Sequence, residues 1–215
     1  MSHAAPASGR KVPGKEGLLR TAIDCFGRYG FAGTSVDRIA RAAGVTKGAL
    51  YYHFRDKDEL LFAAVKERIQ VFETSVAAQI DPAEDPADAL RQVARLCANN
   101  ARTDSKRQFI LTMMVEAIDT NHKLSQEFED MLRRFRSFLR YLIRTGQEAG
   151  TFRDDRDAQA GAELMVGSIL GAEVQFYQNR ESFDLDRTLD TLVDQQLAWL
   201  QPAPGVKAAS HKGGS

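Results

Sequence analysis

Residues 33–54 read GTSVDRIARAAGVTKGALYYHF, and this stretch decides the fold. Thr34 or Ser35 can cap a short helix whose first turn carries Asp37, where a negative charge suits the helix N-terminus. Gly44 ends that helix, and Thr46 caps another, TKGALYYHF, with Lys47 and Gly48 at its start. Two short helices joined by a tight glycine turn spell a helix-turn-helix. Helical periodicity turns Ile39, Ala43, Val45, Leu50 and Phe54 inward as a small core. It leaves Lys47 with Tyr51, and Gly48 with Tyr52, as two i,i+4 pairs on the outward side. A glycine inside a helix costs about 1 kcal/mol against alanine, which a close backbone approach to DNA would justify. Thr46, Tyr51, Tyr52, His53 and Lys57 carry hydroxyl, imidazole and ammonium donors suited to phosphate oxygens.

Working outward, the spacing of Leu18, Leu19, Ala22, Ile23 and Phe26 predicts a helix over 15–29, closed by Gly30. Asp56 and Glu59 form an Asp-x-x-Glu cap that opens a long helix over 57–79. The six prolines leave two proline-free stretches, 14–81 and 87–201, divided by DPAEDP at 81–86. Both stretches carry a 3.6-residue period and no sustained alternation, so the chain reads as all-α. Further helices are expected at 86–101, opened by Asp85 and Pro86, and at 104–118, 122–148, 157–179 and 185–200. The domain reading is an arm at 1–13, a DNA-binding module at 14–60, a helical body at 61–201 and a tail at 202–215. Both ends are rich in small residues and expected to lack order.

Composition narrows the function. Lys plus Arg and Asp plus Glu both total 29 in 215 residues, a net charge of zero. Residues 1–60 nevertheless hold 10 basic and 6 acidic side chains, a net of +4, and the remainder 19 and 23, a net of −4. A basic module on a mildly acidic body hints at nucleic acid. Arg10, Lys11 and Lys15 leave two readings open, a plain tail and an arm tracking the minor groove. Cys25 and Cys97 are too few for a disulfide framework or a four-cysteine zinc site and read as inert core thiols. No run long enough to span a membrane occurs, and MSHAAPASGRKVPGK lacks the apolar core of a signal peptide. The expected place is the cytoplasm.

The stretch LLRTAIDCFGRYGFAGTSVDRIARAAGVTKGALYYHFRDKDELLFAAV resembles the DNA-binding region of the tetracycline-repressor (TetR) family. The likeness covers about residues 16–65, with GFxGTS and IAxxAGVxKGxLYxHFxxKxxL in order and without gaps. It implies that 46–53 is the recognition helix, with Lys47 and Gly48 approaching base edges. Tyr51, Tyr52, His53 and Lys57 would grip the DNA backbone or thymine methyls. Thr34, Ser35 and Thr46 would meet phosphates through hydroxyls or helix-end N–H groups. Arg38 and Arg41 read as solvated helix charges. The long helix leaving this module enters the body, so a tilt at its far end would move the recognition helix.

In the body, DAQAGAELMVGSILGAEVQFYQN is apolar nearly all round and carries Gly161, Gly167 and Gly171. The last helix adds Leu185, Leu189, Leu192, Val193, Leu197, Trp199 and Leu200 in one stripe. Together they suggest a four-helix homodimer interface built on those glycines with Leu189, Leu192, Val193 and Leu197, as the resemblance also implies. A two-fold dimer suits a near-palindromic double-stranded operator. Phe72, Phe109, Met113, Met114, Phe135, Phe138, Leu142, Met165 and Phe176 are bulky, adaptable side chains suited to an apolar ligand pocket, or simply to core. Phe62, Phe128 and Met131 are of the same kind. Glu116, Asp119 and His122 fall at metal-binding spacing but read as a polar helix end. No catalytic constellation, cofactor or metal site is expected.

The function expected is a ligand-responsive transcriptional regulator, a repressor released by a small hydrophobic effector. Hydrophobic drugs, acyl chains including thioesters, and aromatic metabolites all fit. An enzyme carrying a DNA module and an effector-free architectural protein are the competing classes.

Overall fold

The computed structural model describes residues 13–81 and 85–202. The described residues form nine α-helices and no strand: α1 Lys15–Tyr29, α2 Val36–Ala43, α3 Lys47–His53, α4 Lys57–Gln79, α5 Pro86–Thr103, α6 Arg107–Thr120, α7 His122–Glu148, α8 Ala158–Gln178 and α9 Leu185–Leu200. Two compact units divide the chain, and the division falls inside α4, between Arg68 and Ile69. Most of the expected arm and tail at 1–13 and 202–215, with Arg10 and Lys11, lies outside the described residues.

In the first unit, Leu18, Ala22, Ile23 and Phe26 of α1 close on Ile39 and Ala40 of α2, Leu50 of α3 and Phe54. Leu60, Leu61, Ala64 and Val65 are buried at the start of α4. Ala43 and Val45 are only half-buried, at the edge of this core. Local chemistry sets each boundary. Gly44 takes φ +71° and turns its N–H back onto the end of α2, a left-handed geometry that favours glycine. Ser35, not Thr34, caps α2 by accepting from the Arg38 N–H at 3.1 Å. Thr46 caps α3 by accepting from the Ala49 N–H at 3.2 Å. Asp56 accepts from the Glu59 N–H while the Glu59 carboxylate accepts from the Arg55 N–H, both at 2.7 Å. That reciprocal cap fixes where α4 begins.

In the second unit, α8 packs on α7 and α9, and α5 packs on α9 and α7. Their shared core holds Leu90, Val93, Leu139, Leu142, Ile143, Met165, Val166, Ile169, Leu189, Val193 and Leu197. α6 starts at Arg107 rather than 104, because the Asp104 carboxylate accepts from the Lys106 N–H and its carbonyl accepts from the Arg107 N–H. Those bonds make a turn before the helix. α6 ends at Thr120, and Asn121 caps α7 by accepting from the Leu124 N–H. His122 therefore begins a different helix from Glu116 and Asp119. Among the described residues no cluster of His, Cys, Asp or Glu is arranged to hold a metal ion. No described helix is long and apolar enough to cross a membrane.

Candidate functional site

Leu50 is fully buried and Phe54 nearly so, which pins one side of α3 and turns the other outward. On that outer side Tyr52 is 85% exposed and Tyr51 44%. Lys47 and Gly48 stand exposed one turn earlier. A Cβ built at Gly48 would meet nothing closer than Thr46 Oγ1 at 3.9 Å. No contact within the unit requires glycine there. The Tyr52 ring stands edge-on to His53 at 5.0 Å, which orders a half-buried imidazole beside an almost bare phenol. Lys47 Nζ lies 3.2 Å from Asp37 Oδ2, joining α3 to α2.

The hydroxyl groups divide into two kinds. Ser35 and Thr46 are exposed and use their oxygens as helix caps, which leaves each O–H proton to be donated outward. Thr34 is a correction to the expectation of a phosphate contact. It has no exposed surface, and its hydroxyl lies 2.7 Å from the Gly30 carbonyl and 3.1 Å from the Cys25 carbonyl. Its N–H is given to the Phe31 carbonyl, so Thr34 ties the end of α1 to the start of α2. Lys57 is also turned inward. Its ammonium donates to the Phe31 carbonyl at 3.1 Å and sits 4.0 Å from the Phe31 ring centroid, one of its three donors spent on fold. Arg38, read as a solvated charge, is exposed, and its guanidinium lies 4.2 Å from the Tyr29 ring centroid and donates to the Gly33 carbonyl at 3.0 Å. Lys15 opens α1 with its ammonium 5.5 Å from the Phe54 ring centroid.

In the second unit a groove of about 240 Å³ opens between the end of α4 and α7. Phe72, Val76 and Ala77 form one wall, and Met131, Phe135 and Phe138 the other. Phe72 meets Phe135 edge-to-face at 5.4 Å, and Glu73 and Arg134, also lining the groove, pair at 2.6 Å. Three of the nine expected pocket residues thus line it. The others are elsewhere: Leu142, Met165 and Phe176 are buried in the shared core, Phe109 and Met113 are buried on α6, and Met114 is half-buried there. Glu73, Val76, Ala77 and Arg134 were missed because they are not of the bulky, adaptable apolar type that marks a pocket in sequence.

The Arg107 guanidinium lies 5.2 Å from the Phe72 ring centroid. It meets the Glu173 carboxylate through both Nε and Nη2, the shortest contact being 2.8 Å, and neither side chain is appreciably exposed. Burial pushes the Glu173 carboxyl up, against the opposing pull of Arg107. Burial likewise pushes the Cys97 thiol up to about 12. Tyr177 is raised by burial as well and donates its hydroxyl proton to the Ala101 carbonyl at 3.1 Å.

The expected dimer residues separate into two groups. Gly161 faces its own chain, where a Cβ would lie 3.1 Å from Ile143 Cδ1, Trp199 Cζ3 and Gln196 Nε2. Leu189, Val193 and Leu197 are likewise buried within the protomer, because α5 and α8 cover the stripe of α9. These four are corrected to core. Gly167 and Gly171 are exposed with open space above them, and Leu192 is half-buried. Leu164, 61% exposed, and Val174, 45% exposed, continue the same face of α8 and were not anticipated. Residues 164, 167, 168, 171, 174 and 175 make an outward stripe of apolar, small and uncharged polar groups.

Residues 18–64 match the family model described as "Bacterial regulatory proteins, tetR family". Residues 72–200 match the model of the "BetI-type transcriptional repressor, C-terminal". The chain is 23% identical over 205 residues to the "Probable acrEF/envCD operon repressor" of Escherichia coli (strain K12), covering 92% of this chain and 91% of that one. A TetR transcriptional regulator from Chloroflexus aurantiacus superposes with a TM-score of 0.80 at 24% identity, over 87% of this chain and 96% of the other. The transcriptional regulator FadR from Bacillus subtilis, solved in complex with stearoyl-CoA, superposes with a TM-score of 0.68 at 18% identity, over 86% and 99%.

Proposed function

Because the chain belongs to the tetR family of bacterial regulatory proteins, DNA-binding transcriptional repressors rather than enzymes, we propose that it binds a near-palindromic operator as a homodimer and is released by a hydrophobic small molecule. The observation that carries this reading is the outer side of α3. Lys47, Gly48, Tyr51 and Tyr52 point away from the core, and Gly48 removes the side chain that would hold a groove floor at a distance. In this reading Lys47 and Gly48 meet base edges, while Tyr51, Tyr52, His53 and the outward hydroxyls of Ser35 and Thr46 take phosphates and sugar.

Pairing uses the open face of α8, with Leu164, Gly167, Gly171 and Val174, together with Leu192 of α9. A two-fold axis there presents two recognition helices to successive turns of the major groove. The effector enters the groove walled by Phe72, Val76, Ala77, Met131, Phe135 and Phe138. An acyl chain is the favoured occupant. The walls are hydrocarbon and aromatic, and a relative of the same fold holds stearoyl-CoA. Response follows from α4, whose second part walls the groove while Leu60, Leu61, Ala64 and Val65 in its first part are core of the DNA-reading unit. A ligand acts only through different affinities for the DNA-competent and released states.

The test starts from random duplexes. The wild-type dimer is expected to select a two-fold-symmetric sequence and to leave it when stearoyl-CoA is added, measured by fluorescence anisotropy. Failure to select any sequence overturns the operator reading. A selected operator that stays bound with stearoyl-CoA, and with shorter acyl thioesters, overturns the acyl reading alone.

A further inference from the structure

The recognition helix carries its lysine in a restrained state. Lys47 is the first residue of α3 and Asp37 is in the first turn of α2, and both helix starts are fixed by hydroxyl caps, Thr46 and Ser35. Lys47 Nζ and Asp37 Oδ2 are 3.2 Å apart across the turn of the motif, with side chains 49% and 59% exposed. A pair so open to water contributes little to folding. Its effect is on the cation's freedom, because the carboxylate holds the ammonium beside the surface that meets DNA.

We propose that Asp37 is a specificity-determining residue, which withholds Lys47 from indiscriminate phosphate contact and leaves it to an acceptor on a base edge. This role for Asp37 depends on α3 being the helix that reads DNA. On arbitrary duplex the gain from Lys47 is one more neutralised phosphate, and the Asp37 carboxylate competes with that phosphate for the ammonium. Each neutralised phosphate contributes about 0.9 to the slope of log affinity against log salt. A lysine held by a carboxylate forfeits most of that contribution. On the operator, a directed bond to a base acceptor such as guanine O6 or N7 replaces the Asp37 contact. Asp37 therefore widens the gap between operator and background.

The test is a double-mutant cycle with wild type, Asp37→Asn, Lys47→Ala and the double variant. Each is titrated with the selected operator and with a scrambled duplex over roughly 50 to 200 mM salt, the range in which phosphate contacts dominate. Asp37→Asn is expected to bind the scrambled duplex several-fold more tightly, with a salt slope steeper by about one. Its operator affinity changes less, so the ratio of the two falls. In the Lys47→Ala background the same substitution leaves the slope unchanged. Equal tightening on both duplexes, or a full effect without Lys47, overturns the proposal and assigns Asp37 a general electrostatic role. A wild type that selects no operator instead overturns the DNA-reading role, a result separable from either. Matching unfolding midpoints for wild type and Asp37→Asn keep the comparison one of binding.

Discussion

Arg107 on α6 and Glu173 on α8 are joined by a buried two-pronged ion pair, 2.8 Å at its shortest, directly behind the groove residue Phe72. Buried pairs add little net stability, since desolvation offsets attraction, but removing one partner strands a charge. Glu173→Met and Arg107→Met are each expected to cost about 3–5 kcal/mol in denaturant unfolding. The double variant Arg107→Met with Glu173→Met should recover most of that loss. Single variants within about 0.5 kcal/mol of wild type, the ordinary range for surface sites, would show that the pair is not buried in solution.

Thr34 and Tyr52 make an opposed pair of expectations within one unit. Thr34→Val removes a donor shared by the Gly30 and Cys25 carbonyls inside the fold. A loss of about 1–3 kcal/mol in stability is expected, with operator affinity of the folded fraction retained. Tyr52→Ala should do the reverse, abolishing operator binding while leaving the unfolding midpoint unchanged, because its ring is 85% exposed. Calorimetry and anisotropy on the same two variants decide the assignment.

How far the sequence could be read follows from the range of the interactions. Caps and glycine turns are local, so Ser35, Gly44, Thr46 and the Asp56–Glu59 cap marked the first unit's boundaries from a few residues each. Neighbouring hydroxyls were another matter. Thr34 and Ser35 differ in fate only because Cys25 and Gly30 come back to meet one of them. Periodicity finds the apolar stripe of α9 without saying what covers it, so Leu189, Val193 and Leu197 read as interface in sequence although α5 and α8 bury them. Phe and Met mark core and pocket alike, and only packing put Phe135 in the groove and Met165 in the centre. Nothing local links Arg107 to Glu173, 66 residues apart.

The thiols offer a test in alkali. The Cys97 thiol is buried and raised from 9.0 to about 12, and burial raises Cys25 from 9.0 as well. A folded-state value above the unfolded one means that folding keeps the proton, so stability is full below pH 9 and is lost as pH rises toward 12. The expected slope from Cys97 is about 1.4 kcal/mol per pH unit over that window. Neither thiol should react with a disulfide reagent at pH 8 until the protein unfolds, since the attacking species is the thiolate. Fast native-state labelling of Cys97 would contradict its burial.

The two classes of glycine on α8 separate protomer stability from assembly. Gly161→Ala pushes a methyl into Ile143, Trp199 and Gln196, each already at 3.1 Å from that position. Overpacking of about 1–3 kcal/mol is set against about 1 kcal/mol of helix propensity regained over glycine, so a net loss of up to about 2 kcal/mol is expected. Gly171 has open space over it in the protomer, so Gly171→Arg should leave monomer folding intact and act only where another surface must come close. If the α8 face pairs two copies, Gly171→Arg combined with Leu164→Glu sediments as a folded monomer. Its operator affinity then falls steeply, because each half-site is bound alone. A variant that remains dimeric would move the interface off α8, and with it the spacing between the two recognition helices.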